Sequence, residues 1–299
     1  MTGPYFIGVD GGGTRCRARL CDAAGCALGE GLGGPANVHR DPVPALRSVL
    51  AACRAAVAQA GLDENVIGRV HAGLGLAGAG QPSAVERFLA LPHPFASVSI
   101  ETDAYAAWLG AFGGADGAVL IVGTGSCGLA VIGGAKTYVG GSGAEISDEG
   151  SGAAIGREAL RRALWACDGR APMTGLATQL LADFNANRET LVEWARRAGP
   201  SDFARFAPEV FDHARKADPL AAALVIDAAA EIARIGRRLL EIGARFIALI
   251  GGLAEPMRPW LPAELQLRLV LPAADAMDGA ILIARNAYAA LESRTKKRA

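Results

Sequence analysis

The sequence lacks three features that would mark whole classes of protein: net charge, long apolar segments and a targeting peptide. Thirty basic side chains balance thirty acidic ones, whereas a dedicated nucleic-acid binder usually carries a basic excess. No uninterrupted apolar run is long enough to span a bilayer, and no N-terminal segment has the charged start and apolar core of a signal peptide. We therefore expect a cytoplasmic protein that binds neither nucleic acid nor membrane.

Cysteine, histidine and aromatic residues are also scarce. The six cysteines contain no C-x-x-C pair, and the four histidines have no metal-ligand spacing. In a cytosolic protein we expect the cysteines to be small buried hydrophobes. Only 6% of residues are aromatic although 51% are hydrophobic, which predicts a large core of Ala, Leu, Val and Ile. The length of 299 residues favours two domains over one.

A glycine-rich turn near the start is the most distinctive feature present. The apolar run Tyr5–Val9 leads into Asp10, three glycines at Gly11–Gly13 and then Thr14. This pattern predicts a strand, a tight turn and a return strand. Backbone N–H groups in such a turn can bind an anion, Thr14 adds a hydroxyl donor, and Asp10 can hold hydrated Mg²⁺. We interpret the stretch as a phosphate-binding hairpin, with an ordinary glycine-rich hairpin as the alternative.

The same pattern recurs in the second half of the chain. Ala118–Val122 is apolar, Gly123–Ser126 is a second turn with glycine and threonine, and Gly128–Ile132 reads as a return strand. A third strand is predicted in each half, at Ala27–Leu32 and at Ala135–Val139. Internal duplication predicts two similar lobes that face one cleft.

Strands and helices alternate between and after these two units. In the first half, helices are predicted at Pro42–Ala60, Pro82–Leu91 and Asp103–Phe112, and strands at Val66–Leu76 and Ser97–Thr102. In the second half, helices are predicted at Gly152–Cys167, Leu176–Phe184, Arg188–Ala198, Asp202–Lys216, Asp218–Ile242 and Ala276–Leu291, and strands at Ala244–Ile250 and Leu265–Leu271. The alternation predicts a partly parallel, doubly wound sheet.

Several polar residues and glycines stand where ligands bind in such sheets, beyond the carboxyl ends of strands. Asp103 follows a predicted strand and opens a helix, so it is either a working acid or an N-cap. Asp148 precedes another helix and raises the same alternatives. Asn37 suits a sugar hydroxyl or an Asx turn. Gly251 and Gly252 would let an adenine or ribose approach the backbone, or would simply form a turn.

Two familiar nucleotide-binding motifs are excluded by the sequence. Gly123–Gly128 has the spacing G-x-G-x-x-G, but it joins two predicted strands and opens no helix. The dinucleotide fingerprint requires strand, turn and helix, so we reject it. The sequence also lacks G-x-x-x-x-G-K-[ST], which excludes a P-loop enzyme.

Taken together, six segments resemble the motifs of the BadF/BadG/BcrA/BcrD ATPase family, and they look most like its N-acetylglucosamine/glucosamine kinase group. This family belongs to the ASKHA superfamily of acetate and sugar kinases, heat-shock chaperone ATPases and actin. The segments follow one another in the family's order: Asp10-Gly11-Gly12-Gly13-Thr14, Pro35-Ala36-Asn37, Thr102-Asp103-Ala104, Gly123-Thr124-Gly125-Ser126, Asp148-Glu149-Gly150-Ser151 and Gly251-Gly252. Each motif is weak alone, whereas six in order are specific and cover nearly the whole chain.

The resemblance implies an α/β fold of two ribonuclease-H-like (actin-like ATPase) lobes around a central nucleotide cleft. The N-terminal lobe would span residues 1–112 together with the C-terminal helix at 276–292, and the C-terminal lobe residues 113–275. ATP and Mg²⁺ would be the cofactors and an amino sugar the small-molecule partner. Because homodimers are common among relatives, the resemblance also allows a homodimer.

The resemblance further implies a role for each matched residue. Asp103 would be the general base that takes the proton from the sugar 6-hydroxyl, and Asp10 would position Mg²⁺. The other implied ligands are Gly11, Gly12, Gly13, Thr14, Thr124 and Gly125 for phosphates, Gly251 and Gly252 for adenosine, and Asn37, Ser126 and Asp148 for the sugar. Phosphoryl transfer depends on positioning and charge stabilisation, which two facing phosphate turns would supply.

One departure from the pattern concerns the sugar. The kinase group often has Gly-Gly-Trp-Gly before its acid motif, whereas this chain has Ser142 in the tryptophan position and Ser147 in place of a glycine. The missing aromatic wall leaves open whether the sugar carries a free amine or an N-acetyl group at C2.

The resemblance implies an ATP-dependent hexosamine kinase acting on glucosamine or N-acetylglucosamine. The same family includes ATPases that activate 2-hydroxyacyl-CoA dehydratases and hold an iron–sulfur cluster between subunits. Cys127 and Cys167 are the only cysteines of the second lobe, and their setting does not resemble the activator motifs. A third alternative is an ATP-binding regulator that has lost catalysis, which the presence of Asp103 argues against.

Overall fold

The computed structural model describes residues 3–39 and 41–296. The chain divides into two compact units, the first comprising the residues up to Ala115 and those from Pro272 onward, the second Asp116–Leu271. Each unit contains one five-stranded sheet, and two ribonuclease-H-like units are the architecture that the sequence predicts.

The sheet of the first unit has the order β3-β2-β1-β4-β5. Its strands are β1 Tyr5–Gly11, β2 Cys16–Cys21, β3 Ala27–Gly33, β4 Val70–Leu76 and β5 Ser97–Thr102. The first three are antiparallel neighbours, whereas β4 and β5 run parallel to β1. The helices are α1 Pro42–Gln59, α2 Pro82–Leu89, α3 Asp103–Phe112 and the C-terminal helix Ala276–Lys296. The last of these packs on α3, β1 and β4.

The second unit repeats this sheet topology with the order β10-β9-β6-β7-β8. Its strands are β6 Gly117–Val122, β7 Ser126–Ile132, β8 Ala135–Gly140, β9 Ile247–Ile250 and β10 Leu269–Val270. Again the first three are antiparallel neighbours and the last two run parallel to the first. The helices are α4 Gly152–Cys167, α5 Gly175–Ala182, α6 Arg188–Ala195, α7 Pro200–Ala204, α8 Ala207–Arg215, α9 Pro219–Glu241, α10 Ala254–Met257 and α11 Ala263–Gln266. The matching order and direction of the strands confirm the internal duplication.

Three departures from the predicted elements have a local cause. The single helix predicted over Asp202–Lys216 is broken between α7 and α8, because Pro208 has no N–H to continue the helical hydrogen bonds. The strand predicted over Leu265–Leu271 is reduced to β10, since Pro262 precedes the short helix α11 instead. The strand predicted from Val66 begins only at Val70. The residues before it, Glu64–Arg69, form a 3₁₀ helix capped by Asp63, which accepts from the Asn65 N–H at 2.8 Å.

Strand β3 meets helix α1 almost without side chains. Gly29, Gly31 and Gly33 alternate along β3, so they share one face of the strand. A Cβ atom at Gly31 would lie 2.1 Å from the carbonyl oxygen of Ala52 in α1, and one at Gly29 would lie 2.3 Å from that of Ala56. The glycines therefore let the helix backbone rest directly on the strand, and we call this the glycine–alanine contact.

An arginine on β2 fixes the start of the C-terminal helix. The Arg19 guanidinium lies 2.9 Å from the Asp275 carboxylate, 2.6 Å from that of Asp278 and 2.8 Å from that of Glu30. Asp275 also accepts from the Asp278 N–H at 3.0 Å and so caps the helix. Only 16% of the Arg19 side chain is exposed. The ion-pair network therefore ties the C-terminal segment to the first unit.

We expect Arg19→Gln to lower the free energy of unfolding by about 2 kcal/mol, because it leaves partly desolvated carboxylates without a counter-ion. Urea denaturation with an unchanged m-value would measure the loss. Arg54→Gln is the matched control, since Arg54 forms an ion pair with Glu64 in which both side chains are more than half exposed. Equal losses in the two variants would contradict the anchoring role of Arg19.

The cysteines are less uniformly buried than the composition suggests. Cys16, Cys21 and Cys53 are buried, but Cys127 is half-buried, and Cys26 and Cys167 are exposed. The prediction of buried hydrophobes is therefore wrong for the last two, which lie in the β2–β3 turn and at the final residue of α4. Among the helices that the structure describes, none combines the length and the hydropathy needed to cross a membrane.

Candidate functional site

In the first unit, the predicted phosphate turn leaves the sheet at the carboxyl end of β1. Gly11 is the last residue of β1, and the Gly12 N–H donates to the Arg15 carbonyl at 3.0 Å to close the turn. Gly13 and Thr14 at its tip are exposed. The turn therefore presents backbone to solvent, as an anion-binding loop requires.

Hydrogen bonds hold the Asn37 loop beside this turn. The Ala36 N–H donates to the Gly12 carbonyl at 3.0 Å, and the Ala77 N–H donates to the Gly11 carbonyl at 2.7 Å. The Asn37 side-chain oxygen accepts from the His39 N–H at 3.0 Å, so Asn37 does form an Asx turn. Its amide group can still donate to a ligand, because this bond uses only the oxygen.

Asp103 lies at the same edge of the first sheet. The register pairs Gly11 of β1 with Leu76 of β4, and Leu76 with Thr102 of β5. The phosphate turn and Asp103 therefore both follow strands that end at the same level along the carboxyl edge of the sheet. Thr102, and not Asp103, is the N-cap of α3, since its hydroxyl accepts from the Tyr105 N–H at 3.1 Å. Asp103 is therefore not the N-cap of this helix. Its Oδ1 atom accepts from the Ala104 N–H at 2.9 Å.

Asp10 is paired with an arginine that the sequence reasoning missed. The Arg17 guanidinium donates to Asp10 Oδ2 at 2.7 Å across the β1–β2 ladder. Asp10 and Arg17 are direct partners in the hairpin register, so a strand alignment of the two apolar runs flanking the turn would have found the pair. This contact places a positive charge at the base of the phosphate turn.

The residues present fit a Mg²⁺ ion held mainly by substrate. Among the described residues, no group of three or more His, Cys, Asp or Glu side chains could hold a metal ion. Mg²⁺ in phosphate-transfer sites is commonly bound through one or two carboxylates and the substrate phosphates. Asp10, a half-buried carboxylate next to the turn, supplies a hard oxygen ligand of that kind.

In the second unit, the start of α4 is bonded to the second glycine turn. The Gly152 N–H donates to the Gly123 carbonyl at 2.8 Å, and the Ala153 N–H donates to the Thr124 carbonyl at 3.1 Å. Ser151 caps the helix by accepting from the Ala154 N–H at 3.2 Å. The turn and the acid motif before α4 therefore form one rigid piece of structure.

Asp148 lies against this turn in an unusual backbone conformation. Its φ is 59°, a left-handed value that aspartate tolerates better than most residues. A Cβ atom at Gly125 would stand 2.7 Å from Asp148 Oδ2, so a larger residue there would displace the Asp148 carboxylate. Burial raises the pKa of the Asp148 carboxyl above its ordinary value; hydrogen bonds from the Ser126 and Gly143 backbone oppose the rise, and the charge of Glu149 adds to it.

Ser126 has a structural partner. Its side chain is buried and its hydroxyl donates to the Glu149 carbonyl at 2.7 Å. The hydroxyl hydrogen is therefore engaged within the protein, and the serine holds the acid loop against the turn.

The predicted adenosine glycines join the same edge of the second sheet. Gly251 has a φ of 106°, and a Cβ atom there would lie 2.3 Å from the Val122 carbonyl oxygen. The Leu253 N–H donates to that same oxygen at 3.0 Å. Gly252 is exposed beside Gly123. The structure thus brings three separate sequence motifs together at the ends of β6 and β9.

Comparisons with known proteins agree with one another. The model of the BadF/BadG/BcrA/BcrD ATPase family matches residues 7–284. A glucosamine kinase from Vibrio cholerae is 42% identical over 280 residues, which cover 94% of this chain and 95% of that protein. An N-acetyl-D-glucosamine kinase from Dictyostelium discoideum is 29% identical over 247 residues, 77% of each chain.

The fold agrees with solved structures. A crystal structure of a candidate N-acetylglucosamine kinase from Chromobacterium violaceum matches with a TM-score of 0.89 and 36% identity, covering 95% of this chain and all of that one. A ROK family glucokinase from Streptomyces griseus, in complex with glucose and AMPPNP, matches with a TM-score of 0.52 and 22% identity over 94% of this chain and 99% of that one. The latter likeness concerns the fold alone.

Proposed function

The chain belongs to the BadF/BadG/BcrA/BcrD ATPase family, and on that premise we propose that it transfers the γ-phosphoryl group of ATP to the 6-hydroxyl of glucosamine or N-acetylglucosamine. The family and the relatives of the chain show that it is a sugar kinase that uses ATP. The observation that carries the finer proposal is the placement of Asp103 at the same sheet edge as the first phosphate turn. A base and a phosphate-binding loop at one edge are what transfer to a hydroxyl requires.

We assign Asp103 as the general base. Its carboxylate accepts the proton of the attacking sugar hydroxyl as the oxygen bonds to phosphorus, while ADP leaves with the electrons of the broken bond. General bases contribute about 10²–10⁴-fold to such reactions. The Thr102 cap fixes the position of Asp103 at the start of α3, so the base sits on a rigid element.

The remaining roles follow from the motifs and their positions. Backbone N–H groups of the two turns and the Thr14 and Thr124 hydroxyls bind phosphate oxygens, and Mg²⁺, when bound through Asp10, neutralises phosphate charge. Asn37 and Asp148 bind sugar hydroxyls. Gly251 and Gly252 lie against the adenosine, because neither carries a side chain that would block it.

A sugar panel with a coupled assay for ADP tests the proposal. We expect turnover with glucosamine or N-acetylglucosamine and a product phosphorylated at the 6-position. The position of the phosphate is identified by NMR, from the chemical shifts of the C6 protons and their coupling to phosphorus. Phosphorylation at another hydroxyl would overturn the regiochemistry, and no transfer to any sugar would revive the regulator alternative. Iron bound to the purified protein would instead support the dehydratase activator.

The environment of Asp148 predicts a pH dependence of sugar binding. Because burial raises its pKa above the ordinary value of 3.8, the carboxyl gains a proton at a higher pH than an exposed aspartate does. The neutral acid no longer accepts hydrogen bonds from two sugar hydroxyls as strongly. We therefore expect KM for the sugar to rise on acidification, with a midpoint above that of ordinary aspartate.

The variant Asp148→Asn tests this assignment. It should raise KM for the sugar at neutral pH and remove the acid-side rise in KM. A KM profile that still rises on acidification in this variant would contradict the assignment of Asp148.

A further inference from the structure

The ion pair between Asp10 and Arg17 stands at the base of the phosphate turn. Directly opposed residues of an antiparallel pair project on the same face, and the two side chains meet at 2.7 Å. The Arg17 side chain is 35% exposed and that of Asp10 is 24% exposed. Both side chains are therefore partly buried, as those of the Arg19 network are, so exposure does not set this pair apart; its place beside Gly11 does.

Arg19, two residues along the same strand face, shows what a structural arginine looks like in this sheet. Its guanidinium contacts three carboxylates and ties down the C-terminal helix. Among the described residues, Arg17 has an ion pair with Asp10 alone. Arg19 therefore links several elements of the fold, whereas Arg17 contacts only the residue that precedes the phosphate turn among the described ion pairs.

The charge of Asp10 creates a problem for an anion-binding loop. Asp10 is the residue before Gly11, so its carboxylate is next in the chain to the turn that would receive a phosphate. Two like charges about 4 Å apart repel by about 1–4 kcal/mol, depending on the solvent exposure of the pair. An unbalanced Asp10 would therefore weaken phosphate binding until a cation neutralised it.

We propose that Arg17 is a positioning residue of the nucleotide site, the counter-ion that orients and neutralises Asp10 until a divalent cation takes over that charge. The inference rests on the proposed role of the turn in binding ATP. Arg17 bonds to Oδ2 of the carboxylate, so Oδ1 would be the oxygen available to a metal ion or its water. The arginine thus lets the turn accept phosphate before the metal is in place.

Equilibrium binding of ATP, measured by calorimetry with Mg²⁺ and again with EDTA, tests this role without relying on turnover. We expect Arg17→Gln to weaken metal-free ATP binding by about tenfold, since Asp10 then repels the phosphates, and binding with Mg²⁺ by no more than about threefold. Arg17→Lys, which keeps the charge, should recover most of the metal-free affinity. Arg54→Gln should change neither constant, because its exposed pair with Glu64 has no part in the turn.

A double-mutant cycle completes the test. In Asp10→Asn the repulsive charge is gone, so adding Arg17→Gln to it should cost much less metal-free affinity than Arg17→Gln does in the wild type. Equal weakening with and without Mg²⁺ would overturn the proposal and would make Arg17 a direct phosphate ligand or a structural residue. No effect in either condition would overturn it too.

The experiment also distinguishes this inference from the proposed function. A wild-type protein that binds no ATP in either buffer would overturn both. Normal ATP binding without sugar transfer would overturn only the proposed sugar reaction, and the Arg17 comparison would still stand on its own.

Discussion

Replacing Asp103 with asparagine should lower kcat for hexosamine phosphorylation by about 10²–10⁴-fold, the range that a general base contributes. The amide has nearly the same shape as the carboxylate but cannot accept the proton of the attacking hydroxyl. Because the proposed base acts on the acceptor hydroxyl, the dissociation constant for ATP should stay within about twofold, well under the tenfold that 1.4 kcal/mol represents. Steady-state kinetics and calorimetry on the same preparation measure the two quantities.

Asp41→Asn provides the matched control for this variant. Asp41 is also an aspartate at the start of a helix in the first unit, where it accepts from the Val43 N–H at 2.9 Å. It lies outside the assigned site, so its variant should retain turnover. Full activity of Asp103→Asn would remove the base assignment, whereas loss of ATP binding in that variant would show that Asp103 supports the nucleotide site.

Gly31→Val should destabilise the first unit by about 3 kcal/mol or more, at the upper end of what overpacking costs. A Cβ atom at this position would lie 2.1 Å from the Ala52 carbonyl oxygen, and that oxygen belongs to a helix backbone that cannot rotate away. The helix must therefore move off the strand. Urea denaturation followed by circular dichroism would show a lower midpoint, and Gly31→Ala should give an intermediate shift.

Leu32→Val is the control, because it also introduces valine into β3 but on the face away from the helix. Leu32 is the next residue of the same strand, points to the opposite face and is 68% exposed. We expect its variant to unfold close to the wild-type midpoint. If Gly31→Val were equally stable, the close approach of α1 to β3 would have to be wrong.

Much of the fold could be predicted because local signals and tertiary structure agree. The predicted strands on either side of each glycine turn became the paired strands β1–β2 and β6–β7, and prolines marked the first turns of α1, α2 and α9. Prediction failed where apolar periodicity continued past a residue that ends a helix. The apolar period through residues 202–216 continues across the break before Pro208, so periodicity alone joined two helices.

The candidate site also contains residues that local sequence signals predict and contacts that depend on tertiary structure. The glycine turns and Asp103 carry local signatures, so the sequence placed them at strand ends without any knowledge of their neighbours. The Asp10–Arg17 pair depends on the register between two strands, and the contact of Asp148 with Gly125 depends on a left-handed residue bringing a loop back over the turn. The ion pair could have been found only by aligning the two strands across the turn, and no sequence spacing reveals the contact of Asp148 with Gly125.

The glycine–alanine contact has a consequence for how this protein would respond to scanning mutagenesis. Such scans truncate side chains to alanine and read a loss as a missing contact. At Gly31 an alanine adds an atom where none fits, so the usual sign of the experiment is reversed, and Ala52 and Ala56 would be passed over because they are alanine already. A contact that holds a helix on a sheet would thus leave almost no trace in a truncation map, and only substitutions that enlarge its residues would reveal it.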